Sequence, residues 1–147
     1  MNSEAGQTPR PAGIQGELVG TWRLVSATTQ NDQGVWVPDT FGNPPSGYFI
    51  YDATGHASIQ IMTTPPVALS DPDAGPTPAE ALDIFNNYIA YYGTWTAGGG
   101  TVTVMVEGAW DPTQVGTAQA RPYQVSGDTL TIGNEAAGYI RILQRVV

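Results

Sequence analysis

The chain has no cysteine, no lysine and a single histidine, His56, in 147 residues. Without cysteine there is no disulfide framework and no thiol nucleophile, a pattern that fits the cytoplasm. Without lysine only five arginines oppose thirteen acidic residues, and a net charge of −8 argues against nucleic acid or an anionic membrane as partner. One histidine among dispersed carboxylates offers no metal-ligand spacing, so no metal is expected. Charged residues make up 12% of the chain, about half the share usual in globular proteins. No run approaches the ~18 apolar residues of a membrane span, and residues 1–16 lack the apolar stretch of a signal peptide.

What is plentiful is aromatic and turn-forming. Four Trp, seven Tyr and three Phe stand beside eighteen Gly and twelve Pro. A chain poor in nucleophiles can do little covalent chemistry, yet it can line an apolar cavity and place a few polar anchors in it. The glycines and prolines imply short elements and many turns, as in an all-β domain.

Residues 1–16 are polar and unpatterned and read as a disordered leader before one domain over 17–147. Along Gly20–Thr28 the residues Trp22, Leu24 and Ser26 share one face of a strand. Tyr48–Tyr51 and His56–Met62 flank the turn Asp52–Gly55 as a hairpin. Thr77, Pro78 and Glu80 supply an N-cap, a first-turn proline and the third-position acid of a capping box. The spacing of Leu82, Phe85, Tyr88 and Ile89 predicts three to four helical turns ending before Gly93. Gly93–Thr96, Thr101–Gly108, Gln119–Val125, Thr129–Ile132 and Tyr139–Val146 follow as short strands. The expected fold is therefore an eight-stranded antiparallel up-and-down barrel with one inserted helix, whose interior holds side chains or one small ligand. Gly98–Gly100 joins two strands and reads as a hairpin turn, so no phosphate cradle and no nucleotide cofactor are expected.

Five segments in order carry a family likeness: Leu18–Ser26 (LVGTWRLVS), Pro44–Gly55 (PPSGYFIYDATG), Ala90–Trp95 (AYYGTW), Val106–Gly116 (VEGAWDPTQVG) and Arg121–Leu130 (RPYQVSGDTL). Together they resemble the lipocalin-like domain family, a calycin-type barrel. The resemblance implies that Arg145 on the last strand lies across the indole of Trp22 as a barrel-closing pair. It also implies a hydrophobic small-molecule ligand, since related barrels include carriers and cofactor-free cyclases or isomerases of natural products. The chain departs from the pattern at Val104 and Met105, where many relatives carry a histidine pair.

Glu107 and Arg121 are the first candidate constellation, expected near facing ends of two antiparallel strands across the Asp111–Gly116 loop. In the lumen Arg121 would anchor a carbonyl or enolate oxygen while Glu107 moves a proton; the alternative is a salt bridge at the rim. Tyr51 supplies a phenol that can hydrogen-bond an oxygen. His56 is the one side chain that titrates near neutrality, and its place beside a turn equally fits an exposed structural role. Tyr91, Trp95, Met105, Trp110, Tyr123, Gln60 and Met62 are candidate ligand-lining residues, with ordinary core packing as the alternative for each. Two functions follow. One is a cofactor-free cyclase, isomerase or lyase, which works by holding a conformer and stabilising developing negative charge. The other is a non-catalytic carrier. A cytoplasmic location favours the enzyme, and a homodimer is compatible with the sequence.

Overall fold

The computed structural model describes residues 14–42 and 44–147. A short helix α1 (Ile14–Leu18) precedes the strands β1 (Gly20–Gln30), β2 (Trp36–Pro38), β3 (Ser46–Tyr51) and β4 (His56–Met62). Helix α2 (Pro78–Asn86) follows, and then β5 (Tyr88–Gly98), β6 (Thr101–Ala109), β7 (Ala118–Ser126), β8 (Thr129–Asn134) and β9 (Tyr139–Arg145). Each strand from β3 to β9 pairs antiparallel with the next, and β1 pairs with both β3 and β9, so eight strands close into a barrel. The ninth, β2, lies on the outer half of β1, opposite Thr28–Gln30. Closure leaves the eight ring strands no free edge. Of the expected leader, residues 1–13 lie outside the described residues, and Ile14–Gly16 begin α1. Among the described residues no helix is long and apolar enough to cross a membrane.

Alternation decides which side chains face inward. Val102, Val104 and Val106 are buried on β6, and Ala57, Ile59 and Ile61 on β4. On β1 the alternation breaks at a bulge between Leu24 and Ser26. One extra residue there turns every later side chain to the opposite face. Ala27 is therefore buried and Ser26 is not, contrary to the face expected from the sequence.

Helix α2 begins as expected: the Thr77 hydroxyl accepts from the Glu80 N–H, and the Glu80 carboxylate accepts from the Thr77 N–H. It ends earlier. Asn87 caps it, donating through its side chain to the Asp83 carbonyl and carboxylate. Tyr88 and Ile89, expected on the helix, pair instead with Met62 and Ile61 of β4. Ladder bonds and a neighbouring apolar wall outweigh the helical spacing of those two residues. No residue of α2 is buried.

One end of the barrel is sealed by α1 and Trp22. The Trp22 indole is fully buried and donates to the Leu18 carbonyl at 2.9 Å. The Arg145 guanidinium stands 4.2 Å from the indole ring and donates to the carbonyls of Val19 and Glu17, at 2.9 and 2.8 Å. Gly20 separates the two, with φ +146°, a conformation that side-chain-bearing residues rarely adopt, and a Cβ there would lie 2.9 Å from Arg145 Nη1. Removing the indole takes away the seal of this end and leaves a large cavity. Trp22→Ala is expected to lower the unfolding free energy by about 3–5 kcal/mol, read from urea denaturation followed by circular dichroism.

Candidate functional site

Toward the opposite end the interior is not filled. A cavity of about 410 Å³ opens there, walled by aliphatic side chains such as Ile59, Ile61, Ile89 and Ile132. Its polar side chains include Arg121, Arg141, Asp39, Tyr51, Tyr91 and Tyr139.

Strand parity puts them there. On β9, Tyr139, Arg141, Leu143 and Arg145 share the inward face that Arg145 uses to reach Trp22. Arg141 thus projects into the lumen, its guanidinium 5.0 Å from the Tyr139 ring. Asp39 reaches it from the chain leaving β2, where its own N–H donates to the Ala27 carbonyl at 2.9 Å. Arg141 Nη2 and Asp39 Oδ2 meet at 3.4 Å with the two side chains only 16% and 14% exposed. Burial pulls the Arg141 guanidinium below its ordinary value, while the Asp39 charge works against that fall.

Arg121 faces inward from β7, on the same face as Gln119 and Tyr123. It donates to the Gln119 side-chain oxygen at 2.8 Å and to the Ala120 carbonyl at 3.0 Å. Tyr51 is 2% exposed and rests edge-on against Trp95, ring centres 5.4 Å apart. Burial pushes the Tyr51 phenol well above its usual value, with Tyr91 adding to the rise and the Arg121 charge opposing it. Tyr91 is likewise raised by burial, against the pull of Arg121 and then Arg141. Among the described residues, none of the hydroxyls of Tyr51, Tyr91 and Tyr139 forms a hydrogen bond within the protein.

Trp110 is the aromatic of the mouth. Its indole donates to the Phe85 carbonyl at 3.1 Å, and the two rings lie 6.0 Å apart, tying α2 to the rim. Gln114, on the one-turn helix Pro112–Gln114, completes that side.

The cavity brings together Arg121, Tyr51, Tyr91 and Trp110 of the sequence candidates, and no others. Glu107 is exposed on the outer face, because Val102, Val104 and Val106 take the inward positions of β6. Its expected pairing with Arg121 does not form: the register sets Val102 opposite Arg121. His56 is exposed at the β3–β4 turn, its ring 2.9 Å from the Thr54 hydroxyl, while Asp52 accepts from the His56 N–H. Met105 points outward, 49% exposed. Gln60 and Met62 lie on the outer face of β4, beside Arg23 and Tyr48. Trp95 is core, its indole donating to the Asp52 carbonyl. Tyr123 is core too, and its buried hydroxyl has no partner.

Asp39, Arg141 and Tyr139 were not singled out from the sequence as site residues. Parity counted back from Arg145 carries Arg141 and Tyr139 inward; nothing local marks Asp39. Among the described residues no three His, Cys, Asp or Glu come together as metal ligands would.

Two outcomes follow. Asp39→Asn leaves Arg141 buried without its counter-charge, which is expected to cost about 3–5 kcal/mol. Asp39→Asn combined with Arg141→Met should recover part of that loss in a thermal double-mutant cycle. Tyr51 and Tyr91 bind their protons more tightly folded than unfolded, so stability is full below the phenol's usual 10.0 and falls as pH rises past it toward the folded values. Alkaline melting curves should show that decline, and Tyr51→Phe should flatten it.

Comparison with known proteins gives few relatives. No curated protein shows significant similarity to the chain. A solved structure of an uncharacterized protein from Bacteroides eggerthii is 10% identical, with a TM-score of 0.48 over 88% of this chain and 99% of that one. A variant of the fluorescent protein UnaG is 11% identical, with a TM-score of 0.37 over 88% of this chain and 96% of that one. A family model described as a lipocalin-like domain matches residues 19–141, from the start of β1 into β9, and on this match the chain belongs to the lipocalin-like domain family.

Proposed function

We propose that this barrel binds a hydrophobic, oxygen-bearing small molecule in its lumen. The observation that carries the reading is the pairing of aliphatic walls with three phenols that have no hydrogen-bond partner among the described residues, in a cavity of about 410 Å³. That volume lies within the roughly 300–1,000 Å³ typical of small-molecule sites. The free hydroxyls are donors that a ligand's oxygens would satisfy, while the walls supply apolar contact. Hydroxyls that line a cavity are free to donate to a ligand's oxygens, which an alkane could not accept.

Catalysis is the finer form of the same reading: a cofactor-free cyclisation, isomerisation or elimination on a natural-product-like molecule. It is favoured by a carboxylate in the cavity wall, Asp39, set among guanidiniums and phenols that would stabilise a developing oxyanion. Proton transfer would then rest on Asp39 and the phenols, since Glu107 and His56 face solvent. A carrier needs only the shape and the donors of the lumen.

Titration with the solvatochromic dye Nile red tests the binding reading. Wild-type protein should bind the dye in the micromolar range, and Ile59→Trp, which fills the cavity, should abolish binding while the thermal transition stays cooperative. A dye that binds both proteins alike lies outside the lumen, and that result would overturn the reading. Glu107→Gln and His56→Gln should leave the affinity within about twofold, because both side chains are outside the barrel.

A further inference from the structure

The charge of the lumen runs against the charge of the protein. The chain carries −8 overall, yet its cavity holds two guanidiniums and one carboxylate. Asp39 is committed to Arg141. The second oxygen of that carboxylate already accepts from the Thr40 N–H at 2.7 Å. Arg121 has only neutral partners, the Gln119 amide oxygen and the Ala120 carbonyl. Among the described residues no carboxylate pairs with it, so one positive charge in the cavity wall is left uncompensated. A guanidinium has five N–H donors in a planar fork, and most of Arg121's remain unused.

The fork is also held in place. Gln119 spends its amide N–H on the Thr117 hydroxyl at 2.9 Å, which turns its oxygen toward Arg121. Thr117 in turn donates to the Gln114 carbonyl at 2.7 Å, on the one-turn helix at the rim. A run of three hydrogen bonds thus connects the mouth of the barrel to the unpaired cation, and each bond constrains the next.

We infer that the lumen selects a hydrophobic monoanion, a carboxylate, phenolate or enolate, whose charged oxygen sits on Arg121, and that Gln119 is the positioning residue for that guanidinium. The inference rests on the binding reading above and narrows it from an oxygen-bearing ligand to a negatively charged one. The physical reason is that Arg121, half-buried in the cavity wall, has no carboxylate partner there, and a bound anion would supply charge-assisted hydrogen bonds to its free donors. The phenols of Tyr51 and Tyr91, which feel the Arg121 charge across the cavity, stay protonated and add donors to the same oxygen. The charge pattern also excludes cations: a protonated amine would meet Arg121 with only an already paired Asp39 to offset it.

Two fluorescent probes with one ring system separate charge from shape: anilinonaphthalene sulfonate, an anion, and N-phenylnaphthylamine, its neutral counterpart. Wild-type protein should bind the anion at least about tenfold more tightly, the scale of a charge-assisted hydrogen bond. Arg121→Gln should remove that preference and leave the neutral probe within about twofold. Gln119→Leu should lower anion affinity by about three- to tenfold with the neutral probe unchanged, a split that a merely structural role would not produce. Ile59→Trp, which fills the lumen, should displace both probes. The wild-type ratio decides the matter even if Arg121→Gln fails to fold: equal affinities, with both probes displaced by Ile59→Trp, overturn anion selection and leave the binding reading standing. Binding of neither probe in the lumen overturns the binding reading itself.

Discussion

The barrel depends on the meeting of its first and last strands. β1 and β9 pair over most of their length, and at the sealed end Arg145 lies on Trp22 while its two donors grip the carbonyls of Glu17 and Val19. One side chain thereby ties together the leading helix, the first strand and the last. Closure creates an inside, and once an inside exists each strand must divide its side chains between two environments. The aliphatic walls, the phenols and the two inward arginines near the open end all follow from that division.

Much of this was legible in the sequence because it is local. The capping box at Thr77–Glu80, the hairpin turn at Gly98–Gly100 and the Tyr48–Tyr51/His56–Met62 hairpin need only a few neighbouring residues, and each stands where the pattern put it. The family likeness supplied the rest of the barrel and the Trp22–Arg145 contact. What escaped was set by distant partners. The bulge in β1 is a feature of its pairing with β9, so the switch from Ser26 to Ala27 could not be read from β1 alone. Ile89 has helical spacing from Phe85, yet it belongs to a strand because Ile61 waits beside it.

The candidate site divides along the same line. Arg121 and Tyr51, named from the sequence, line the cavity, whereas the pairing expected between Arg121 and Glu107 does not form, because reaching the lumen needs the right parity as well as proximity. Glu107 is one residue out of phase with Val106 and faces solvent. Asp39 is the opposite case. It sits in a connection with no periodic pattern, and only β2, three residues long, delivers it to Arg141. Charge scarcity was the useful clue: with few ionisable groups in the chain, those inside the barrel dominate its field.

Helix α2 introduces a difference in local stability. Leu82 is 61% exposed, no residue of the helix is buried, and among the described residues it is held by the Trp110 indole hydrogen bond and ring contact at Phe85, by the Ser70 N–H on Glu80 and by the Thr63 N–H on its capping Asn87. Elements with so little buried area detach at a small fraction of the free energy of global unfolding. The ring of eight strands has no such weak member. The rim at α2 and Trp110 therefore stands lower in local stability than the closed ring, a difference in the ease of local opening that the packing of the interior does not set.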